Sequence, residues 1–110
     1  MQAVWKGAII AKSEDVEEIE GNFYFPLESI RKEYVLESNT QSTCPWKGKA
    51  FYFHVTVEGE INEDAAWYYT QPKEGAEVLK NRVAFWKGVE VKEAPSKINW
   101  EMLKVLNSFF

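Results

Sequence analysis

Ala50-Phe51-Tyr52-Phe53-His54-Val55-Thr56-Val57 decides the class of fold. Phe51, Phe53, Val55 and Val57 fall on one side of an extended chain, and Tyr52, His54 and Thr56 on the other. That two-residue period belongs to a strand with one apolar face, which is assigned to the core. Just upstream, Ser38-Asn39-Thr40-Gln41-Ser42-Thr43-Cys44-Pro45-Trp46-Lys47-Gly48 reads as a polar loop carrying the chain's one cysteine into the strand. Loops of mixed chemistry held by rigid strands are where binding and catalytic groups collect. Downstream, Glu58-Gly59 reads as a tight turn, Asn62-Glu63-Asp64 as a polar loop and 65–69 as a strand rich in rings.

Working outward, residues 8–11 form a short β-type run after Trp5-Lys6-Gly7, and 16–20 return as a strand after a turn at Ser13-Glu14-Asp15. Gly21-Asn22 is expected to turn the chain, because both residues accept positive φ. Phe23-Tyr24-Phe25 gives another strand, and Pro26 opens a short helix on which Leu27, Ile30 and Tyr34 share a face. Pro72 precedes a second short helix over 74–79, and 83–86 and 89–91 are expected to form a hairpin across Lys87-Gly88. Beyond Pro95, Trp100, Leu103 and Leu106 make a helical stripe with Asn99 as N-cap. That tail either docks on its own domain or covers a partner chain with Phe109 and Phe110. The expected organisation is one mainly β (α+β) domain over 1–94 with two short helices, and a helical extension over 95–110.

Trp-Lys-Gly occurs at 5–7, 46–48 and 86–88, and a β-type run follows each time. Two related halves enclosing a crevice would produce this repeat. So would common turn chemistry at strand ends.

The totals narrow the function classes. A chain of 110 residues supports one hydrophobic core. A net charge of −4 without a Lys/Arg cluster argues against a phosphate backbone as partner. No apolar leader or long apolar stretch is seen, so neither secretion nor membrane spanning is expected. One Cys and one His make neither an internal disulfide nor a closed zinc site. A reducing, cytoplasmic setting without metal or other cofactor is the expectation. Aromatics at 15% with five Trp either line a pocket or fill a small core.

Several residues could carry chemistry. Cys44 is a nucleophile if a cation lowers its pKa, and Lys47 lies three residues on; otherwise it is a small buried thiol. His54 is the one imidazole available for acid–base work, or an idle exposed residue. Lys47 either binds an anion or is a solvated turn residue. Glu20, Asn22 and Asp64 offer polar contacts beside aromatic strands, or are ordinary turn residues. Tyr24, Tyr52, Trp46, Trp67 and Tyr69 could stack on a flat ligand and orient it, or simply pack.

Trp5-Lys6-Gly7 with residues 8–13, Glu20-Gly21-Asn22-Phe23-Tyr24-Phe25-Pro26, Thr43-Cys44-Pro45-Trp46-Lys47-Gly48, Asp64-Ala65-Ala66-Trp67-Tyr68-Tyr69 with Pro72, and Val83-Ala84-Phe85-Trp86 resemble the domain-of-unknown-function 427 family over about residues 3 to 92. The resemblance implies a compact, mostly β fold of the Mss4-like or β-tent kind. Some relatives in that broad group bind zinc through paired cysteines or reduce methionine sulfoxide; those cysteine pairs are missing here. The family is also catalogued as nucleotidyltransferase-like, but this chain has no glycine-rich phosphate loop and no Asp-x-Asp pair. The resemblance directs attention to Glu20, Asn22, Tyr24, Cys44, Trp46, Lys47, Trp67 and Tyr69 without giving any of them a role.

The favoured reading is a small-molecule binding domain, catalytic or not, with its ligand between the aromatic strands and the Cys44 loop. The alternative is an interaction module that meets a partner or a second copy of itself. Nucleotidyl transfer rests on the family label alone.

Overall fold

A computed structural model describes residues 1–95. Among these residues nine strands make two antiparallel sheets: β1 (Gln2–Trp5), β2 (Ala8–Lys12), β3 (Glu17–Ile19), β4 (Asn22–Pro26), β5 (Val35–Cys44), β6 (Gly48–Val57), β7 (Glu60–Tyr69), β8 (Arg82–Phe85) and β9 (Glu90–Lys92). The smaller sheet runs β2-β1-β9 and the larger β3-β4-β8-β7-β6-β5.

The alternating segment forms β6, a central strand of the larger sheet between β5 and β7. One face of that sheet packs on the smaller sheet and holds the main core, in which Phe25, Val55, Val83 and Ala66 are fully buried together with Ala3, Ile10 and Ala11. Phe25 and Phe85 meet edge to face at 5.7 Å, and Phe53 stacks on Tyr68 at 4.5 Å. The opposite face carries a second cluster of Tyr24, Ala50, Tyr69, Ala76, Leu79 and Ala84, with Ile19, Tyr52 and Trp67 packed against it.

Five expectations are corrected. The helix from Pro26 is two 3₁₀ turns, Leu27–Ser29 and Lys32–Tyr34. Ile30 and Arg31 between them are extended, because Ile30 bridges Ala11 and the Arg31 N–H donates to the Ile10 carbonyl at 2.8 Å. Pairing with β2 wins over a helix too short to propagate. The helix expected over 74–79 shrinks to a 3₁₀ turn, Glu77–Leu79, because Gly75 takes φ +90°.

The polar loop is mostly strand: β5 runs to Cys44, leaving Pro45, Trp46 and Lys47 as the connection to β6. Its run of hydroxyl and amide residues suits a solvated edge strand. The hairpin expected across Lys87-Gly88 does not form. β8 pairs with β4 and β7 while β9 pairs with β1, so that turn hands the chain from one sheet to the other. The turn before β4 uses Glu20 (φ +53°) and Gly21 (φ +79°), and Asn22 already belongs to the strand.

Among the described residues no helix is long and apolar enough to cross a membrane. The helix expected over 98–110 lies outside the described residues.

Candidate functional site

Register alone assembles the site. Tyr52, Trp67 and Ala84 are directly opposed across β6, β7 and β8, and Ser42, Ala50 and Tyr69 across β5, β6 and β7. Counting by twos along each strand adds Cys44, Gly48, Asn22 and Tyr24 to the same side. These residues share the face that turns away from the smaller sheet. Ala50 and Ala84 are nearly completely buried and leave a low floor between the rings.

Tyr24 is fully buried, and its hydroxyl accepts a hydrogen bond from Trp67 Nε1 at 3.3 Å. The two rings meet at right angles, 6.2 Å apart. The Tyr52 hydroxyl pairs with Ser42 Oγ at 2.8 Å. Tyr69 is only 4% exposed. Burial pushes its phenol pKa up, reinforced by the nearby Tyr24, Cys44, Tyr52 and Glu20. Its hydroxyl makes no hydrogen bond among the described residues and still touches solvent, since the one sealed side-chain polar atom without a partner there is Gln2 Oε1.

Lys47 closes the face at the β5–β6 connection. It is 7% exposed, and its ammonium lies 3.2 Å from a Glu20 carboxylate oxygen and 5.0 Å from the Trp46 ring centre. Burial works against the charge. The Tyr24 phenol, the Glu20 hydrogen bond and charge, and Cys44 outweigh that effect and raise the pKa. The ammonium is therefore retained at neutral pH. Its partner is the looser member: the Glu20 side chain is 54% exposed, on the left-handed turn between β3 and β4.

The segment after β7 holds the connection in place. The Lys73 N–H donates to the Lys47 carbonyl at 2.9 Å, and Lys73 Nζ donates to the Pro45 carbonyl at 2.8 Å. Gly48 takes φ +110°, and a Cβ there would stand 3.2 Å from the Gln71 carbonyl oxygen. Only glycine suits that position.

The candidates from the sequence thus divide into two groups. Glu20, Asn22, Tyr24, Cys44, Lys47, Tyr52, Trp67 and Tyr69 gather on one face, with Trp46 as a half-exposed plate over Lys47. Cys44 is partly buried on this face. His54 lies elsewhere. Cys44 pairs with Gly48, and His54 is six residues farther along β6, about 20 Å away at strand rise. The thiol and the imidazole are therefore not brought together.

His54 instead joins a knot at the other end of the sheet. Its Nδ1 lies 3.0 Å from the Asp64 backbone nitrogen, whose N–H it accepts, and 3.6 Å from an Asp64 carboxylate oxygen. The Asp64 carboxylate takes hydroxyl hydrogen bonds from Ser38 and Thr40, which hold its pKa below the usual carboxylate value. The Trp86 indole N–H donates to the Asp64 carbonyl. Asp64 itself is left-handed, at φ +54°.

Sequence reading missed Ser42, Ala50, Lys73 and Ala84. The two alanines inside ring-bearing strands were the available signal, since a small residue between large ones marks a place where something approaches closely. A cavity of about 300 Å³ lies beside Leu27, Val35 and Phe53, and one of about 460 Å³ beside Met1, Lys12 and Pro95; none of the candidate residues lines either. The candidate face is a covered patch rather than an open hollow. Among the described residues, no three His, Cys, Asp or Glu side chains stand together as metal ligands would.

A family model described as a domain of unknown function (DUF427) matches residues 1–96. No curated protein matches the chain.

Proposed function

Given that the chain belongs to the DUF427 family, we propose that it is a small-molecule binding domain whose site is the Tyr24–Lys47–Tyr69 face of the larger sheet. In this reading the domain spans 1–94 in a β-tent-type, Mss4-like arrangement, and a reducing cytoplasm keeps Cys44 as a thiol.

The observation that carries the proposal is the burial of Lys47. Burying an ammonium is costly, and an apolar side chain of similar volume often serves stability as well or better. A small domain that nevertheless keeps one, beside three phenols and a thiol, has the donor-rich and partly apolar lining that ligands require. Trp67, which is only partly buried, gives a flat surface, the phenols and the ammonium fix orientation, and Cys44 lies within electrostatic range of Lys47 as a nucleophile for a reactive ligand.

The test is a thermal-shift screen of metabolites and nucleotides against wild type, Lys47→Met and Cys44→Ser. A ligand present at a hundredfold excess over its Kd stabilises by about 2.7 kcal/mol. In a domain of this size that corresponds to a melting shift on the order of 10 °C. The expected result is such a shift in wild type and its loss in Lys47→Met. A screen without any shift, together with a much lower melting temperature for Lys47→Met, would leave the lysine as mere architecture and end the proposal.

The edge strand β5 supports a second reading. It is ten residues long, has no neighbour on its outer side among the described residues, and exposes Leu36. Pairing of two copies along that edge would make a homodimer, detectable as a concentration-dependent sedimentation mass that Leu36→Lys abolishes.

A further inference from the structure

The ligand class can be narrowed if the binding reading holds, and the inference rests on that reading. We propose that the site takes a compact monocarboxylate, which enters by displacing the Glu20 side chain from Lys47, so that Glu20 serves as an internal stand-in for the ligand.

The two halves of this ion pair are anchored very unequally. Lys47 is packed under Trp46 and fixed through its own carbonyl by Lys73, whereas Glu20 extends from a two-residue turn with more than half its side chain in water. Pulling Glu20 aside exposes it to solvent it already touches; pulling Lys47 aside would disrupt the sheet face. An arriving anion therefore finds a fixed cation behind a movable carboxylate.

The hydrogen-bonding capacity left over on this face consists of donors. Lys47 has three N–H groups, and among the described residues Glu20 is the one carboxylate paired with it. The Tyr24 oxygen takes the Trp67 N–H, which leaves its own proton to give. The Tyr69 hydroxyl makes no hydrogen bond among the described residues, and although the residue is only 4% exposed the oxygen reaches solvent. An anion in place of the Glu20 carboxylate would meet the ammonium where Glu20 now does, 3.2 Å from Lys47 Nζ.

Charge and size set the class. Lys47 is the one buried ammonium among the described residues, the nearby Lys73 ammonium is held at the surface by the Pro45 carbonyl, and the Arg82 guanidinium is engaged with Asp15 at 3.0 Å. Phosphate recognition favours Arg forks or runs of backbone N–H groups, neither of which is present on this face among the described residues. A monoanionic carboxylate fits, with an apolar or aromatic remainder against Trp67.

Benzoate is the probe, with acetate, inorganic phosphate and uncharged benzamide as comparisons, titrated into wild type, Glu20→Gln and Lys47→Met and followed by tryptophan fluorescence and melting temperature. Three results are expected: benzoate binds wild type better than phosphate or benzamide; Glu20→Gln binds benzoate about five- to tenfold tighter, because the internal competitor is gone; and Lys47→Met loses the response. Benzamide binding as well as benzoate would overturn the carboxylate assignment while leaving a binding face intact. Phosphate binding tighter than benzoate would overturn it in the same way. Glu20→Gln binding benzoate no tighter than wild type would remove displacement. No response to benzoate or acetate in wild type or Glu20→Gln would also overturn this inference, and the wider metabolite screen would still decide whether the face binds anything else.

Discussion

Lys6 and Lys47 have the same neighbours, a tryptophan before and a glycine after, and both place their ammonium about 5 Å from that tryptophan ring (5.3 and 5.0 Å). Their surroundings are opposite. Lys6 is 47% exposed and meets a similarly exposed Glu60 at 3.1 Å, a surface pair of the kind worth little. Lys47 is buried. Lys87, in the third copy, repeats the Lys6 arrangement, with positive φ at both Lys87 (+53°) and Gly88 (+87°), as at Lys6 (+48°) and Gly7 (+77°). The shared tripeptide sets the lysine-over-tryptophan contact. Burial comes from elsewhere: the 71–73 segment lies over the second copy, and nothing stands within 4 Å of where a Cβ would be built on Gly7 or Gly88.

The sharpest way to break this comparison is to add one methyl group to each copy. Gly48→Ala places a Cβ against a backbone oxygen that cannot rotate away, at a φ that L-residues rarely adopt. Strain and overpacking together should cost about 3 kcal/mol. That is a fall in melting temperature of roughly 12–20 °C in a domain of this size. Gly7→Ala meets only the left-handed backbone penalty, about 1 kcal/mol, or roughly 4–8 °C. Similar losses in the two variants, measured by thermal denaturation, would mean that the 71–73 segment does not press on Gly48 in solution.

The same contrast shows how far the sequence could be read. Alternation over 50–57 exposed the β class and one core face, because its period is a property of consecutive residues. The candidates that gather on one face could be named because rings and polar groups within strands are conspicuous in composition. That Cys44 and His54 lie at opposite ends of the sheet depends on the register of β5 on β6, which no local pattern reveals. The mistaken helices have a related cause. Leu27, Ile30 and Tyr34 have helical spacing, but Ile30 and Arg31 gain pairing with β2, far upstream, and tertiary pairing overrides a weak local preference. The burial of Lys47 was equally invisible, since the covering residues come from Glu20 and the 71–73 segment.

Next in size is an effect at alkaline pH. Both Tyr69 and Lys47 bind their protons more tightly in the fold than the ordinary values of 10.0 and 10.5. A raised folded pKa gives stability that is whole below the unfolded value and lost as pH rises through the folded one. Wild type should therefore hold its melting temperature up to about pH 10 and fall more steeply above it. Tyr69→Phe should fall less. Identical alkaline slopes for the two proteins would show that the Tyr69 phenol is better solvated than its burial indicates.

The smallest effects compare the lysines themselves. Lys6→Met removes an exposed pair and should change stability by no more than about 0.5 kcal/mol. Lys47→Met exchanges a desolvated ammonium for an apolar chain of similar length, and Glu20 is free to turn into water, so stability should hold or rise by up to about 1 kcal/mol. The two variants then look nearly alike in denaturation and differ completely in the ligand screen. That pattern separates a lysine kept for binding from one kept for the fold, because proteins commonly give up stability at the sites where they act. If Lys47→Met instead melted far below Lys6→Met, the ion pair with Glu20 would be structural cement, and the buried cation would lose its standing as the mark of a site.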